Sequence, residues 1–190
     1  MILTKQILIL PKEKYLFFLA PKCASSSIRR MAIFDLGYKE PLHYVTLLKN
    51  LDNYLDFKWI MVIREPYDRL RSLWRDKVYR HVHLDFRKLN FRRGVSFSNF
   101  ALRLKSVFSL TEKGKHLWPM FALLPFFLQG KDTVMIDIKD WNNWPDDLPP
   151  PRWDNKSNIK KNLGKEELNL KSLEILKLKY KVDFDNYEYT

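Results

Sequence analysis

Tyr15-Leu16-Phe17-Phe18-Leu19-Ala20-Pro21-Lys22-Cys23-Ala24-Ser25-Ser26-Ser27 starts as an unbroken apolar run and ends as a serine-rich turn. A short apolar run closed by proline suits a strand buried on both faces, as in a parallel sheet. From Ser26 to Leu36 the pattern reads as a helix. Ser25 or Ser26 stands in position to cap it, and Gly37 sits where a C-terminal glycine belongs.

The same pattern recurs downstream. Lys58-Trp59-Ile60-Met61-Val62-Ile63 is a second buried-strand run, followed by Arg64-Glu65-Pro66, with Pro66 suited to the first turn of a helix. From Tyr67 to about Tyr79, Leu70, Leu73, Trp74 and Val78 recur at helical spacing. Two successive strand–loop–helix units predict an α/β domain with a parallel sheet. Residues 81–100 read as irregular, and Phe100 to Phe108 as a short helix. Trp118 to Leu128 reads as a buried helix broken or kinked at Pro125, and Thr133 to Ile138 as a third strand. Four prolines between Trp144 and Trp153 mark a surface loop. A lysine-rich amphipathic helix is expected over about 163–181, packed on a single domain spanning 1–190.

Composition bounds the chemistry. Of the 190 residues, 46% are hydrophobic and 15% aromatic, which excludes a disordered chain, and only 5 glycines exclude a collagenous one. The net charge of +12 calls for an anionic partner, substrate or surface, without choosing among nucleic acid, membrane, nucleotide and acidic polysaccharide. Cys23 is the only cysteine, so there is no intramolecular disulfide and no two-cysteine metal site. Ile7 to Leu10 is cut short by Pro11-Lys12-Glu13-Lys14, and no run reads as a signal peptide or membrane span, so a cytoplasmic protein is expected.

Two segments carry the chemistry. At 21–27 a strand–helix junction offers unpaired N–H groups and the positive end of a helix dipole to an anion, and Lys22 with three serines adds donors. The plain alternative is a capped turn whose serines only start a helix. It is not a nucleoside-triphosphate P-loop, because no glycine occurs between Met1 and Leu36. The second segment, Arg64 to Ser72, puts an arginine at the carboxyl end of a strand, where open α/β sheets bind ligands. Its planar fork suits a phosphate. The plain alternative is that Arg64 pairs with Glu65 or Asp68 and Ser72 is one polar residue on a helix.

Together these segments resemble the paired donor-binding motifs of the sulfotransferases that use 3'-phosphoadenosine 5'-phosphosulfate (PAPS). Pro21 to Ser27 resembles the 5'-phosphosulfate loop, especially the form in carbohydrate, Golgi-type enzymes. Arg64-Glu65-Pro66-Tyr67-Asp68-Arg69-Leu70-Arg71-Ser72 resembles the 3'-phosphate motif. His116-Leu117-Trp118-Pro119-Met120 and Tyr180-Lys181-Val182-Asp183-Phe184-Asp185-Asn186-Tyr187 are weaker echoes of the Golgi enzymes, whose membrane anchor and cysteine pairs this sequence does not show.

The resemblance implies a P-loop-like three-layer fold, with a central parallel sheet flanked by helices, and sulfuryl transfer from PAPS to a hydroxyl, with a carbohydrate favoured. Lys22, Cys23, Ala24, Ser25, Ser26 and Ser27 would hold the 5'-phosphosulfate, and Arg64 and Ser72 the 3'-phosphate. No metal is implied. His43 leads as general base, with Glu40 and His116 as rivals. His81-Val82-His83 reads as an exposed pair, with a metal pair or strand edge as alternatives. Between Lys58 and Arg93 eleven Lys/Arg face four Asp/Glu. Either this is a solvated basic face, or Arg75, Lys77, Arg80, Arg87, Arg92 and Arg93 flank a cleft for an acidic glycan. The rival classes are a non-catalytic nucleic-acid-binding module and a phosphotransferase with a degenerate loop. Against the first, no nucleic-acid-binding signature is present; against the second, no metal-holding aspartate motif is.

Overall fold

In the computed structural model the described residues are 7–39, 51–80, 84–87, 90–104, 117, 119–121, 133–152 and 168–187. They fall into two compact units, one built from 1–64 and 123–156, the other from 65–122 and 157–190.

The first unit is a four-stranded sheet in the order β1 (Ile7–Leu10), β2 (Tyr15–Phe18), β3 (Lys58–Ile63), β4 (Thr133–Asp137). β2, β3 and β4 are parallel, with Tyr15 opposite Lys58 and Ile63 opposite Asp137. This is the α/β class expected, and every residue of β2, like Trp59 through Ile63 of β3, is buried. Strands sealed on both faces need continuous apolar sequence, and these runs supply it. β1 is an addition to the expected strands. It pairs antiparallel with β2, Ile7 opposite Phe18 and Leu10 opposite Tyr15, through the turn at 11–14, where Lys14 takes a φ of 58°. The run before Pro11 lacks the alternation that marks a half-exposed strand, because all four residues are buried.

α1 spans Ser25–Phe34 and buries Ser27, Ile28, Met31 and Ala32. Neither Ser25 nor Ser26 caps it. The N-cap is Ala24, in the left-handed region, with no side-chain bond to the helix. The serine run is thus already inside the first turn. Gly37 takes a φ of 72° just beyond the helix, as its position predicted. The proline-rich segment after β4 packs on the sheet: Trp144 stacks on Phe17 at 5.6 Å, Tyr15 Oη donates to Asp147 Oδ1 at 2.7 Å, and Arg152 forks onto Asp35.

The second unit is helical. α2 covers Pro66–Trp74, with Pro66 in its first turn, and continues as a wider π turn through Arg75–Tyr79. α3 (Leu84–Arg87) and α4 (Phe97–Leu104) occupy part of the stretch read as irregular, and α4 starts three residues before the expected Phe100. Leu70, Leu73 and Trp74 from α2 meet Phe86, Phe91, Phe97 and Phe100 in one apolar cluster. Trp74 sits 5.5 Å from Phe97 and its Nε1 donates to Val95 O at 2.7 Å, so its one polar atom is satisfied in the core. In place of one long C-terminal helix there are two: α5 (Leu170–Lys179), capped by the Asn169 side chain on Ser172 N, and α6 (Lys181–Tyr187). Tyr180 joins them. The expected beginning at Leu163 and nearly all of the helix predicted over 118–128 lie outside the described residues. Among the described residues no helix is long and apolar enough to cross a membrane.

Candidate functional site

The parallel register of β2 and β3 sets their carboxyl ends side by side, and the chemistry-bearing loop of the first unit leaves from there. Over Lys22, Cys23 and Ala24 only the outer two residues have positive φ, 71° at Lys22 and 55° at Ala24. Such alternation turns successive N–H groups toward a common concavity, a geometry that receives anions. Non-glycine residues adopt the left-handed region at a cost of about 1 kcal/mol or more each, so two within three residues mark a backbone held in place by its surroundings. Cys23 is that anchor. It is fully buried, its N–H donates to Ala20 O at 3.1 Å, and its Sγ lies 3.9 Å from Pro21 O.

Beyond the loop, the intrahelical ladder of α1 opens with Ile28 N–H donating to Ala24 O at 3.1 Å. The N–H groups of Ser25, Ser26 and Ser27 precede it and have no helical acceptor, and alanine at the N-cap supplies none. A helix start left without its cap keeps these donors, and the positive end of the dipole, for a ligand. Ser26 is exposed and Ser25 partly so, while Ser27 is buried.

Arg64 is the first residue past β3. It pairs with neither Glu65 nor Asp68. Its Nη1 donates to Lys22 O at 3.3 Å, and its buried Nε has no hydrogen-bond partner. The two acidic neighbours are occupied elsewhere. Glu65 caps α2, accepting from Tyr67 N at 2.9 Å and Asp68 N at 2.7 Å, and Asp68 meets Arg71 at 3.4 Å. Capping by Glu65 is absent from the sequence reading. Its signal is an acidic residue directly before the helix-starting Pro66.

Within the first unit, then, the structure brings Arg64 onto the Pro21–Ser27 loop. Ser72 belongs to the second unit, part-buried on the second turn of α2. His43, Glu40 and His116 lie outside the described residues, as do His81 and His83. Of the basic residues assigned to an acceptor cleft, Arg80, Arg87, Arg92 and Arg93 are exposed, Arg75 is part-buried, and Lys77 lies 3.2 Å from Asp76. Among the described residues no group of His, Cys, Asp and Glu could hold a metal ion.

A different fate awaits a second arginine of that motif. Arg69 is completely buried, with its Nη2 3.3 Å from Asp183 Oδ2 and its guanidinium 5.6 Å from the Tyr180 ring centre. Asp183 Oδ1 accepts from Phe121 N at 2.9 Å, and Tyr180 Oη donates to Leu117 O at 2.8 Å. Burial pushes the Asp183 carboxyl above its ordinary value, while Arg69 and backbone bonds from Phe121 and Met120 pull it back toward ionisation. Burial likewise raises the Tyr180 phenol.

Residues 5–138 match the Sulfotransferase family, and the chain belongs to that family. Its members are transferases that move a sulfuryl group. The matched region begins before β1 and ends just after β4, so it contains both the Pro21–Ser27 loop and the Arg64–Ser72 segment. No match was found among curated proteins or among solved structures.

Proposed function

We propose that this chain transfers the sulfuryl group of PAPS to a hydroxyl of a carbohydrate, with the Pro21–Ser27 loop as the 5'-phosphosulfate cradle. The observation that carries this reading is the uncapped start of α1 beneath an alternating-φ turn, with Arg64 docked on the carbonyl of Lys22. Three first-turn N–H groups without helical acceptors, with the Arg64 guanidinium on the same loop, offer donors and a positive charge to an anion. Their charge and number fit a phosphosulfate.

In that reading the acceptor oxygen attacks sulfur in line with the departing phosphate oxygen. The new S–O bond forms as the bond to the 5'-phosphate breaks, and the acceptor proton passes to a base. Products are the sulfated acceptor and adenosine 3',5'-bisphosphate. Positioning and charge stabilisation supply most of the acceleration in such group transfers. Lys22 and the N–H groups of Ala24 to Ser27 would hold the phosphosulfate, with Lys22 also stabilising charge on the leaving oxygen. Arg64 and Ser72 are assigned to the 3'-phosphate by their motif. His43 is the first choice of base, ahead of Glu40 and His116, since an imidazole titrates in the range a base needs.

The exposed Arg80, Arg87, Arg92 and Arg93 support an acidic glycan as acceptor. Such a surface predicts an acceptor KM that rises steeply with salt. A salt-independent KM would leave the arginines as a solvated face. The primary test is titration of the protein with adenosine 3',5'-bisphosphate beside adenosine 5'-monophosphate, in the wild type and in Arg64→Ala. Tight binding that needs both the 3'-phosphate and Arg64 supports the donor site. An absence of binding by the folded protein removes it.

A further inference from the structure

Three separated stretches of sequence converge on one buried carboxylate in the second unit. Asp183, in α6, is fully inaccessible. One oxygen faces Arg69 of α2 and the other takes the N–H of Phe121. Three residues before it, Tyr180 stacks under the same guanidinium and bonds Leu117 O, so Leu117 and Phe121 are both held from the C-terminal helices. Phe184, next to Asp183, packs 4.7 Å from Tyr67 on the first turn of α2.

As a fastening, this is a costly choice. An ion pair moved out of water gives back much of its Coulomb gain as desolvation, and an apolar pair of similar size often stabilises a fold more. What the ion pair adds here is a fixed partner on another helix: the Nη2–Oδ2 contact at 3.3 Å, with the Tyr180 ring against the same guanidinium, ties α2 to α5 and α6. Arg69 lies one helical turn before Ser72, and side chains three apart share a helix face. A restraint on the Arg69 guanidinium is therefore a restraint on the rotation and slide of α2 about its axis, and hence on Ser72.

We infer that Asp183 is a positioning residue for donor binding: through Arg69 it sets the rotation of α2 and so the placing of Ser72, rather than touching the nucleotide itself. This rests on the proposed reading, in which Ser72 meets the 3'-phosphate. The C-terminal helices are thereby coupled to nucleotide binding although residues 180–187 lie outside the family match.

The test measures the selectivity for adenosine 3',5'-bisphosphate over adenosine 5'-monophosphate by titration. The wild type is set beside Asp183→Asn and the charge-free pair Arg69→Met with Asp183→Asn. In the pair no charge is left buried alone, and the amide oxygen introduced at that position can still accept from Phe121. Thermal unfolding establishes that each variant is folded. The expected result is a wild type that prefers the bisphosphate and a folded variant whose preference drops about tenfold, the scale of one hydrogen bond to a charged group. A folded variant with undiminished preference overturns the inference and leaves the donor site standing. A wild type with no preference overturns the donor reading and the inference with it. Hydrogen exchange on the wild type gives a reading that needs no variant. The bisphosphate, more than the monophosphate, is expected to slow exchange at Phe121 and in α6, and equal protection by both nucleotides would overturn the coupling.

Discussion

Arg64 and Arg69 stand five residues apart in one motif, yet the fold treats them in opposite ways. Arg64 is only part-buried and holds one long bond to a backbone carbonyl. Arg69 is sealed from water between a carboxylate and a phenol ring. A guanidinium that is to meet a ligand must stay within its reach, whereas one sealed in the core can serve only the fold. The same chemical group, read in sequence, says nothing of which it is. The acidic residue that decides the matter for Arg69 lies 114 positions away.

The sharpest way to break this contrast is to truncate each arginine in turn. Arg69→Ala leaves Asp183 charged or protonated without its partner in a dry site. It should cost about 3–5 kcal/mol of stability, the usual penalty for orphaning half of a buried pair, as read by denaturant unfolding. Arg64→Ala should leave stability nearly unchanged and weaken the bisphosphate by roughly ten- to a hundredfold, the worth of charge-assisted hydrogen bonds to one phosphate. If the two substitutions exchanged these phenotypes, the division of labour would be wrong.

Within the cradle, Ala24→Val places a β-branched side chain at a φ of 55°, a region such residues avoid. A loss of about 1–2 kcal/mol is expected in thermal or chemical unfolding, and a neutral outcome would mean that the turn relaxes readily. Smallest of all is Ser26→Ala. A capping serine is worth about 1 kcal/mol. Since Ser26 is exposed and caps nothing, its removal should change stability by less than about 0.5 kcal/mol. A full capping penalty would place the helix start two residues later, at Ser27.

The residues that could be read from sequence are those whose signal is local. β2 and β3 announce themselves as apolar runs, Pro66 as a helix opener, and Arg64 as the residue at the carboxyl end of β3. The Ala24 N-cap was hidden, because nothing in the letters distinguishes a serine that precedes a helix from one that begins it. β1 was hidden because its run is cut after Leu10 by Pro11, shorter than the runs that hold β2 and β3. The break at Tyr180 was hidden for another reason. The lysine-rich pattern is continuous there, and the interruption serves the Tyr180–Leu117 and Asp183–Phe121 bonds, which are made to residues about sixty positions away.

The hairpin at the start of the chain has its own consequence. Because β1 lies along the outer side of β2, the strand that delivers Lys22 is an interior strand with ladders on both flanks. Removing residues 7–10 would turn β2 into the sheet's margin, with a row of backbone groups open to any extended chain that came by. A shortened protein would thus be at risk of self-association through the very strand that leads into the Pro21–Ser27 loop, and its oligomeric state, followed by light scattering, would change although that loop was left intact.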